Sequence, residues 1–256
     1  MPDWIIAVLL GVVEGLTEFL PVSSTGHLLI VQHWLPRQSD LFNVVIQSGA
    51  VLAVLPLFRN RLEQLAAWRE PSSRRLWRLI FIAFGTTVVG GVLIDRAGLK
   101  LPETAAPVAW ALIAGGVLFL LAEARLRASA VAREMTPWLA ACVGVCQLVA
   151  AVFPGTSRSG ATILGAMLGG NPRASATEFS FLIGIPTLLA ASGLKMLKAL
   201  KHGAQEDWAS LGIATLVAAG VSFITVKWLL RFVQTHSFAA FGIYRIAVGA
   251  ILLLVL

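Results

Sequence analysis

Trp4-Ile-Ile-Ala-Val-Leu-Leu-Gly-Val-Val-Glu14-Gly-Leu-Thr-Glu18-Phe-Leu-Pro21-Val-Ser-Ser-Thr-Gly-His27-Leu-Leu-Ile-Val-Gln-His-Trp34 is apolar at both ends and broken in its middle. A second stretch, Trp138 to Gly170, is broken in the same way by Pro154-Gly-Thr-Ser-Arg-Ser-Gly160. Each half, at about 12–16 residues of 1.5 Å rise, is too short to cross a hydrocarbon core of about 30 Å. Both stretches therefore predict helix–turn–helix hairpins that enter and return from one side of a membrane. Irregular backbone at that depth is tolerated only inside protein or against a water-filled cavity, so both interruptions are expected to line one.

Composition agrees with a lipid solvent. Of the 256 residues, 57% are hydrophobic and 13% charged, against about 25% charged in a soluble domain. The formal charge of +7 reads as loop charge that orients helices rather than as a nucleic-acid surface, because Arg59, Arg61, Arg69, Arg74, Arg75 and Arg78 crowd one gap between apolar runs. It also suits an anionic lipid partner. Cys142 and Cys146, four apart in an apolar helical stretch, read as helix packing. The start, Met1-Pro2-Asp3-Trp4, lacks the positive region of a signal peptide and is expected to belong to the fold.

Six further stretches are apolar enough to span: Leu41 to Phe58, Leu76 to Ile94, Ala106 to Leu121, Phe179 to Leu200, Trp208 to Leu230 and Phe238 to Leu256. Setting Gly11 against Gly144 aligns Glu14 with Gln147, Pro21 with Pro154, Ser24 with Ser157 and Ile30 with Ile163. The chain then divides into halves, 1–133 and 134–256, each one hairpin plus three spans. An odd number of crossings per half makes the repeat inverted. The expected fold is an all-α polytopic membrane protein with six spanning helices and two re-entrant hairpins. With the Arg59–Arg78 loop cytoplasmic, Arg125, Arg127, Arg133, Lys227 and Arg231 share its side. Arg37, Arg96, Lys100, Lys198 and Lys201 fall opposite.

Ionisable groups inside apolar runs are functional candidates by default. Glu14 and Glu18 share one helical face, and two carboxylates so close either share a cation or shift one another's protonation. Ser23, Ser24 and Thr25 place hydroxyls beside His27, where a serine with a base or the histidine itself can be a nucleophile. Ser24 is favoured, since His27 in the first helical turn is within reach of its hydroxyl. Gly155, Thr156, Ser157, Ser159 and Thr162 supply a glycine-bearing turn and hydroxyls at a helix start, with Arg158 as a planar fork for phosphate oxygens. Gln47 and Arg245 are further candidate contacts, and His33, His202 and His236 lie near helix ends. Glu178 is expected to precede a helix and favour its N-terminus. An anion cradle facing a nucleophile, a base and carboxylates points to phosphoryl transfer. A flippase or anion carrier could use the same cradle but needs no hydroxyl–imidazole–carboxylate set.

Glu14-Gly-Leu-Thr-Glu18-Phe-Leu-Pro-Val-Ser-Ser-Thr-Gly-His27 and Pro154-Gly-Thr-Ser-Arg-Ser-Gly-Ala-Thr162 resemble the two motifs of the bacterial undecaprenyl-diphosphatases, also called bacitracin-resistance proteins. The likeness in length and segment order covers essentially the whole chain. It implies hydrolysis of a polyprenyl diphosphate lipid to the monophosphate in the bacterial cytoplasmic membrane, from a site open to the extracytoplasmic side. It also implies a catalytic set of Glu14, Glu18, Ser24, His27, Ser157 and Arg158 and dependence on a divalent cation, Mg or Ca, with Glu14 and Glu18 as the expected ligands. The apolar surface is compatible with a homodimer.

Overall fold

The computed structural model describes residues 1–99, 101, 104–128, 133–201 and 206–255. Lys100, His202, Leu256 and the side chain of Arg127 lie outside the described residues. Every regular element among the described residues is a helix. Helices α1 (Asp3–Thr17) and α2 (Ser24–Trp34) form the first broken stretch, and α3 (Asp40–Val54) follows. Pro56 has no amide hydrogen to give, and the chain tightens there into a 3-10 turn, Leu55–Phe58, before α4 (Arg59–Ala66). Then come α5 (Pro71–Ala97), which starts on proline and stops at Gly98 with φ 65°, and α6 (Ala105–Ala128). The chain continues with α7 (Pro137–Val152), α8 (Arg158–Leu168), α9 (Arg173–Lys201), α10 (Trp208–Thr235) and α11 (Ala239–Val255).

Among the described residues, five helical stretches are long and apolar enough to cross a membrane: Asp40–Ala66, Pro71–Ala97, Ala105–Leu126, Arg173–Ala199 and Trp208–Thr235. Their outward faces carry large apolar side chains, among them Phe81, Leu216 and Ile224, each more than 60% exposed. In water such faces would aggregate; in lipid they are solvated, so the chain is a polytopic membrane protein. The sixth expected span, α11, is shorter at 17 residues. Glu178 does not precede a helix, because α9 already begins at Arg173 and Glu178 lies inside it, paired with Arg61.

Both hairpins are real breaks. Helices α1 and α2 have 15 and 11 residues, and α7 and α8 have 16 and 11. The chain just before α7 meets the chain just after α8: the Arg133 amide donates to the Gly170 carbonyl at 3.0 Å, and Asn171 Nδ2 donates to the Arg133 carbonyl at 3.0 Å. At that same end, Arg61 pairs with Glu178, Arg75 with Glu134, and Arg173 with Glu123, whose Oε1 also accepts from the Phe238 amide at 2.8 Å. The start of α4 and the starts of α5, α7, α9 and α11 are thereby gathered with the end of α6.

Each hairpin packs on a helix from the other half. Gly11 and Gly15 let α1 close on α10, where a Cβ would sit 2.6 Å from the Ala214 carbonyl and 2.7 Å from that of Ala218. Gly144 does the same for α7 on α5, 2.5 Å from the Ala83 carbonyl. This exchange brings the two broken turns together at the middle of the bundle.

Candidate active site

Ser23 and Ser157 start α2 and α8 with φ of 74° and 68° and are the non-glycine residues of positive φ among the described residues. Each side-chain oxygen accepts from the amide three residues on, Gly26 at 3.3 Å and Gly160 at 3.1 Å, capping its helix. The caps correct the alignment of the halves. Ser157 matches Ser23, not Ser24, because the second turn holds one extra residue after proline. Gly155, at φ 88°, lies where a Cβ would be 2.6 Å from the Val108 carbonyl. Glycine is required there by both conformation and space.

The two turns are stitched to each other. Ser159 Oγ donates to the carbonyls of Glu18 at 3.2 Å and Leu20 at 3.1 Å. Arg245, fully buried, donates from NH1 to the Pro21 carbonyl at 3.0 Å and from NH2 to those of Thr156 at 3.0 Å, Ala111 at 3.1 Å and Gly155 at 3.3 Å. Expected among the substrate contacts, Arg245 is instead a clamp on the carbonyls of both turns and of α6. Thr162 and Ser159 are likewise turned inward: Thr162 Oγ1 lies 2.6 Å from Ser180 Oγ, and both residues are fully buried.

Between the turns stands a small ionic cluster. Ser24 Oγ donates to Glu18 Oε2 at 2.8 Å, and Arg158 NH2 lies 3.4 Å from Glu18 Oε1. Arg158 is loosely held. Its NH1 reaches the Ser180 carbonyl only at 3.5 Å, and its buried Nε has no partner. A guanidinium with long bonds and an idle nitrogen retains donors for an anion. Gly184 makes its space, since a Cβ there would lie 2.1 Å from NH1. Glu14, one turn before Glu18, is fully buried, and both of its carboxylate oxygens lack a hydrogen-bond partner.

His27 does not serve Ser24 here. Its Nδ1 is 2.7 Å from the Ser23 carbonyl and its Nε2 is 2.7 Å from the Tyr244 hydroxyl, with the two rings stacked at 5.6 Å. The side chain that accepts from Ser24 is Glu18. Sequence reasoning missed Tyr244, Gly184 and Ser180, all brought in by distant helices. Their only local signals were a lone tyrosine beside a buried-type arginine and a glycine two residues before Pro186 in an apolar run.

Three cavities reach this region. A polar one of about 450 Å³ is lined by Thr25, Gln32, Asn43, Gln47, Arg37 and Lys195. It brings Thr25, the residue after Ser24, together with Gln47. An apolar groove of about 550 Å³ between α6, α7 and α8 ends at Thr156, Gly160 and Arg245. Another of about 510 Å³ between α1, α2, α10 and α11 ends at His27 and Tyr244.

Glu14 and Glu18 fit a divalent cation. Hard cations take carboxylate oxygens, and magnesium is commonly held by one or two carboxylates with substrate phosphates completing its shell. The two unpartnered oxygens of Glu14 are the kind of orphaned buried atoms such an ion would satisfy. Among the described residues no group of three or more His, Cys, Asp or Glu side chains is gathered.

Fold and site together define a polytopic membrane protein with a buried carboxylate–serine–arginine centre at the meeting of two broken helices. The profile of the family described as bacitracin resistance protein BacA matches residues 7–251. The chain belongs to that family. An undecaprenyl-diphosphatase of Rhizobium etli (strain CIAT 652) is 52% identical over 255 residues, which is 98% of this chain and 96% of the relative. One of Xanthomonas oryzae pv. oryzae (strain PXO99A) is 49% identical over 259 residues, 99% of this chain and 97% of the relative.

Proposed function

We propose that the chain is a membrane phosphatase that hydrolyses undecaprenyl diphosphate to undecaprenyl phosphate and inorganic phosphate, recycling the carrier lipid of cell-wall synthesis. The observation that carries this reading is the Ser24–Glu18 hydrogen bond of 2.8 Å beside a loosely held Arg158. The relatives' names give the substrate its identity.

Arg158, with the backbone of the Gly155–Ser157 turn, grips the terminal phosphate and offsets its charge. Ser24 Oγ attacks the terminal phosphorus while Glu18 takes its proton. The bond from that phosphorus to the bridging oxygen breaks, and undecaprenyl phosphate leaves. Water then displaces the phosphate from Ser24, restoring the hydroxyl and releasing inorganic phosphate. His27 is the rival nucleophile, but its Nε2 is turned to Tyr244. A magnesium or calcium ion on Glu14 and Glu18 would supply further neutralisation of the phosphate oxygens. Thr25 and Gln47 line the polar approach, and the apolar grooves offer the isoprenoid chain a bed.

The same proposal covers the architecture. Helices α1, α2, α7 and α8, at about 1.5 Å per residue, stop short of the ~30 Å core and form two re-entrant hairpins. The equal lengths of α2 and α8, their matching serine caps and the exchanged packing of α1 on α10 and α7 on α5 support an inverted repeat of residues 1–133 and 134–256. Six spans follow once α11 is counted. The arginine-rich end joined by the Arg61–Glu178 and Arg75–Glu134 pairs faces the cytoplasm. The polar cavity then opens to the extracytoplasmic side of the bacterial inner membrane, and a homodimer belongs to the same reading. Release of inorganic phosphate from a long-chain polyprenyl diphosphate in detergent tests the activity. A folded wild-type protein that releases none, with divalent metal supplied, rejects it.

A further inference from the structure

His27 is held at both ends of its ring. A backbone carbonyl only accepts, so the Ser23 carbonyl at 2.7 Å fixes the proton on Nδ1 and leaves the lone pair on Nε2. The Tyr244 hydroxyl, 2.7 Å from Nε2, must then be the donor to it. The phenol also lies flat on the imidazole, with planes 6° apart. Tyr244 stands on α11, far along the chain, and it is the one tyrosine in the sequence.

The carbonyl held through this chain belongs to Ser23, the residue with φ 74° that precedes Ser24. Two residues earlier, the Pro21 carbonyl is held by Arg245, Tyr244's neighbour. A serine in that backbone region is strained and persists only where its surroundings over-determine it.

We propose that Tyr244 is a positioning residue for the reaction. It donates to His27 Nε2, fixes the tautomer and orientation of the imidazole, and through Nδ1 holds the strained Ser23 carbonyl so that Ser24 stays directed at Glu18. This rests on the phosphatase reading for its kinetic consequence, though not for the contact itself.

Tyr244→Phe keeps the stacked ring and removes only the hydroxyl. Loss of one such hydrogen bond, worth about 1–1.5 kcal/mol, corresponds to a fall in kcat of about tenfold. KM should stay near the wild-type value, because Tyr244→Phe leaves the aromatic wall of the apolar groove in place. In a His27→Gln background the same change should cost nothing further. Two readouts need no turnover. Carbethoxylation of His27 by diethylpyrocarbonate, followed by mass spectrometry, should quicken several-fold in Tyr244→Phe, because Nε2 is unmasked. A 13Cζ-tyrosine label gives a single NMR resonance, and it should shift in His27→Gln.

An unchanged kcat in Tyr244→Phe, or an equal loss in the His27→Gln background, overturns the positioning role. An unchanged carbethoxylation rate overturns the contact. A wild-type protein that releases no phosphate defeats the phosphatase reading instead, and the labelling and NMR arms still decide whether Tyr244 holds His27.

Discussion

Ser23 and Ser157 share one strained geometry, φ 74° and 68°, and one bond, the side-chain oxygen accepting from the amide of the glycine three residues on. Two distant helix breaks hold the same unfavourable backbone at the residue that caps the following helix. Helix starts have easier solutions, since an N-cap serine ordinarily adopts an extended backbone. What the strain secures is the close meeting of two turns, with Ser24 from one and Arg158 from the other on a single carboxylate.

Replacing Ser23 separates the cap from the strain. Ser23→Ala keeps the unfavourable φ and loses the cap, at about 1 kcal/mol. Ser23→Gly loses the cap but adopts the conformation freely. Thermal unfolding in detergent should place Ala below wild type and Gly above Ala.

Gly184→Ala should disable Arg158 without touching the reacting atoms. A Cβ would stand 2.1 Å from Arg158 NH1 and push the guanidinium from Glu18. Phosphate release should fall by about a hundredfold or more, the scale of losing one stabilising donor. The melting temperature should change little. Gly193→Ala, where a Cβ meets nothing within 4 Å on the same helix, is the control and should keep full activity.

Arg245→Met tests the clamp against a substrate contact. The carbonyls of Pro21, Gly155 and Thr156 would lose the guanidinium, at about 1–3 kcal/mol for each that finds no new donor. The protein should be strongly destabilised, read as a lowered melting temperature or poor recovery in detergent. A stable variant with raised KM alone would restore Arg245 to the substrate.

Chelation tests the carboxylate pair. Divalent metal should raise the melting temperature of wild type, and a chelator should reverse this together with activity. Glu14→Gln should lose most of that thermal shift, since its amide oxygen is a weaker ligand than a carboxylate.

The two helix breaks were legible in the sequence because proline, glycine and hydroxyl residues interrupt runs that are otherwise uniformly apolar. The one-residue slip between the turns was not legible: Pro21 and Pro154 align, and the backbone angles instead match Ser157 to Ser23. Ser24 and Glu18 were singled out separately, but their contact spans the turn, where helical spacing gives no guidance. His27 was within reach of Ser24 by that spacing, yet the Ser23 carbonyl one turn back captures its ring. Arg245 looked like an anion contact because a buried arginine needs acceptors, and carbonyls from three segments met that need. Such pairings depend on how distant helices pack, which local pattern does not encode.

The central claim is that Ser24, Glu18 and Arg158 act on a polyprenyl diphosphate as one unit. Its most direct test is the initial rate of phosphate release from that lipid in detergent, with divalent metal, for wild type and for Ser24→Ala, Glu18→Gln, Arg158→Ala and His27→Ala. The account predicts release by wild type and losses of orders of magnitude in the first three variants. Near-normal turnover by Ser24→Ala, with His27→Ala inactive, would contradict it and move the nucleophile to the histidine.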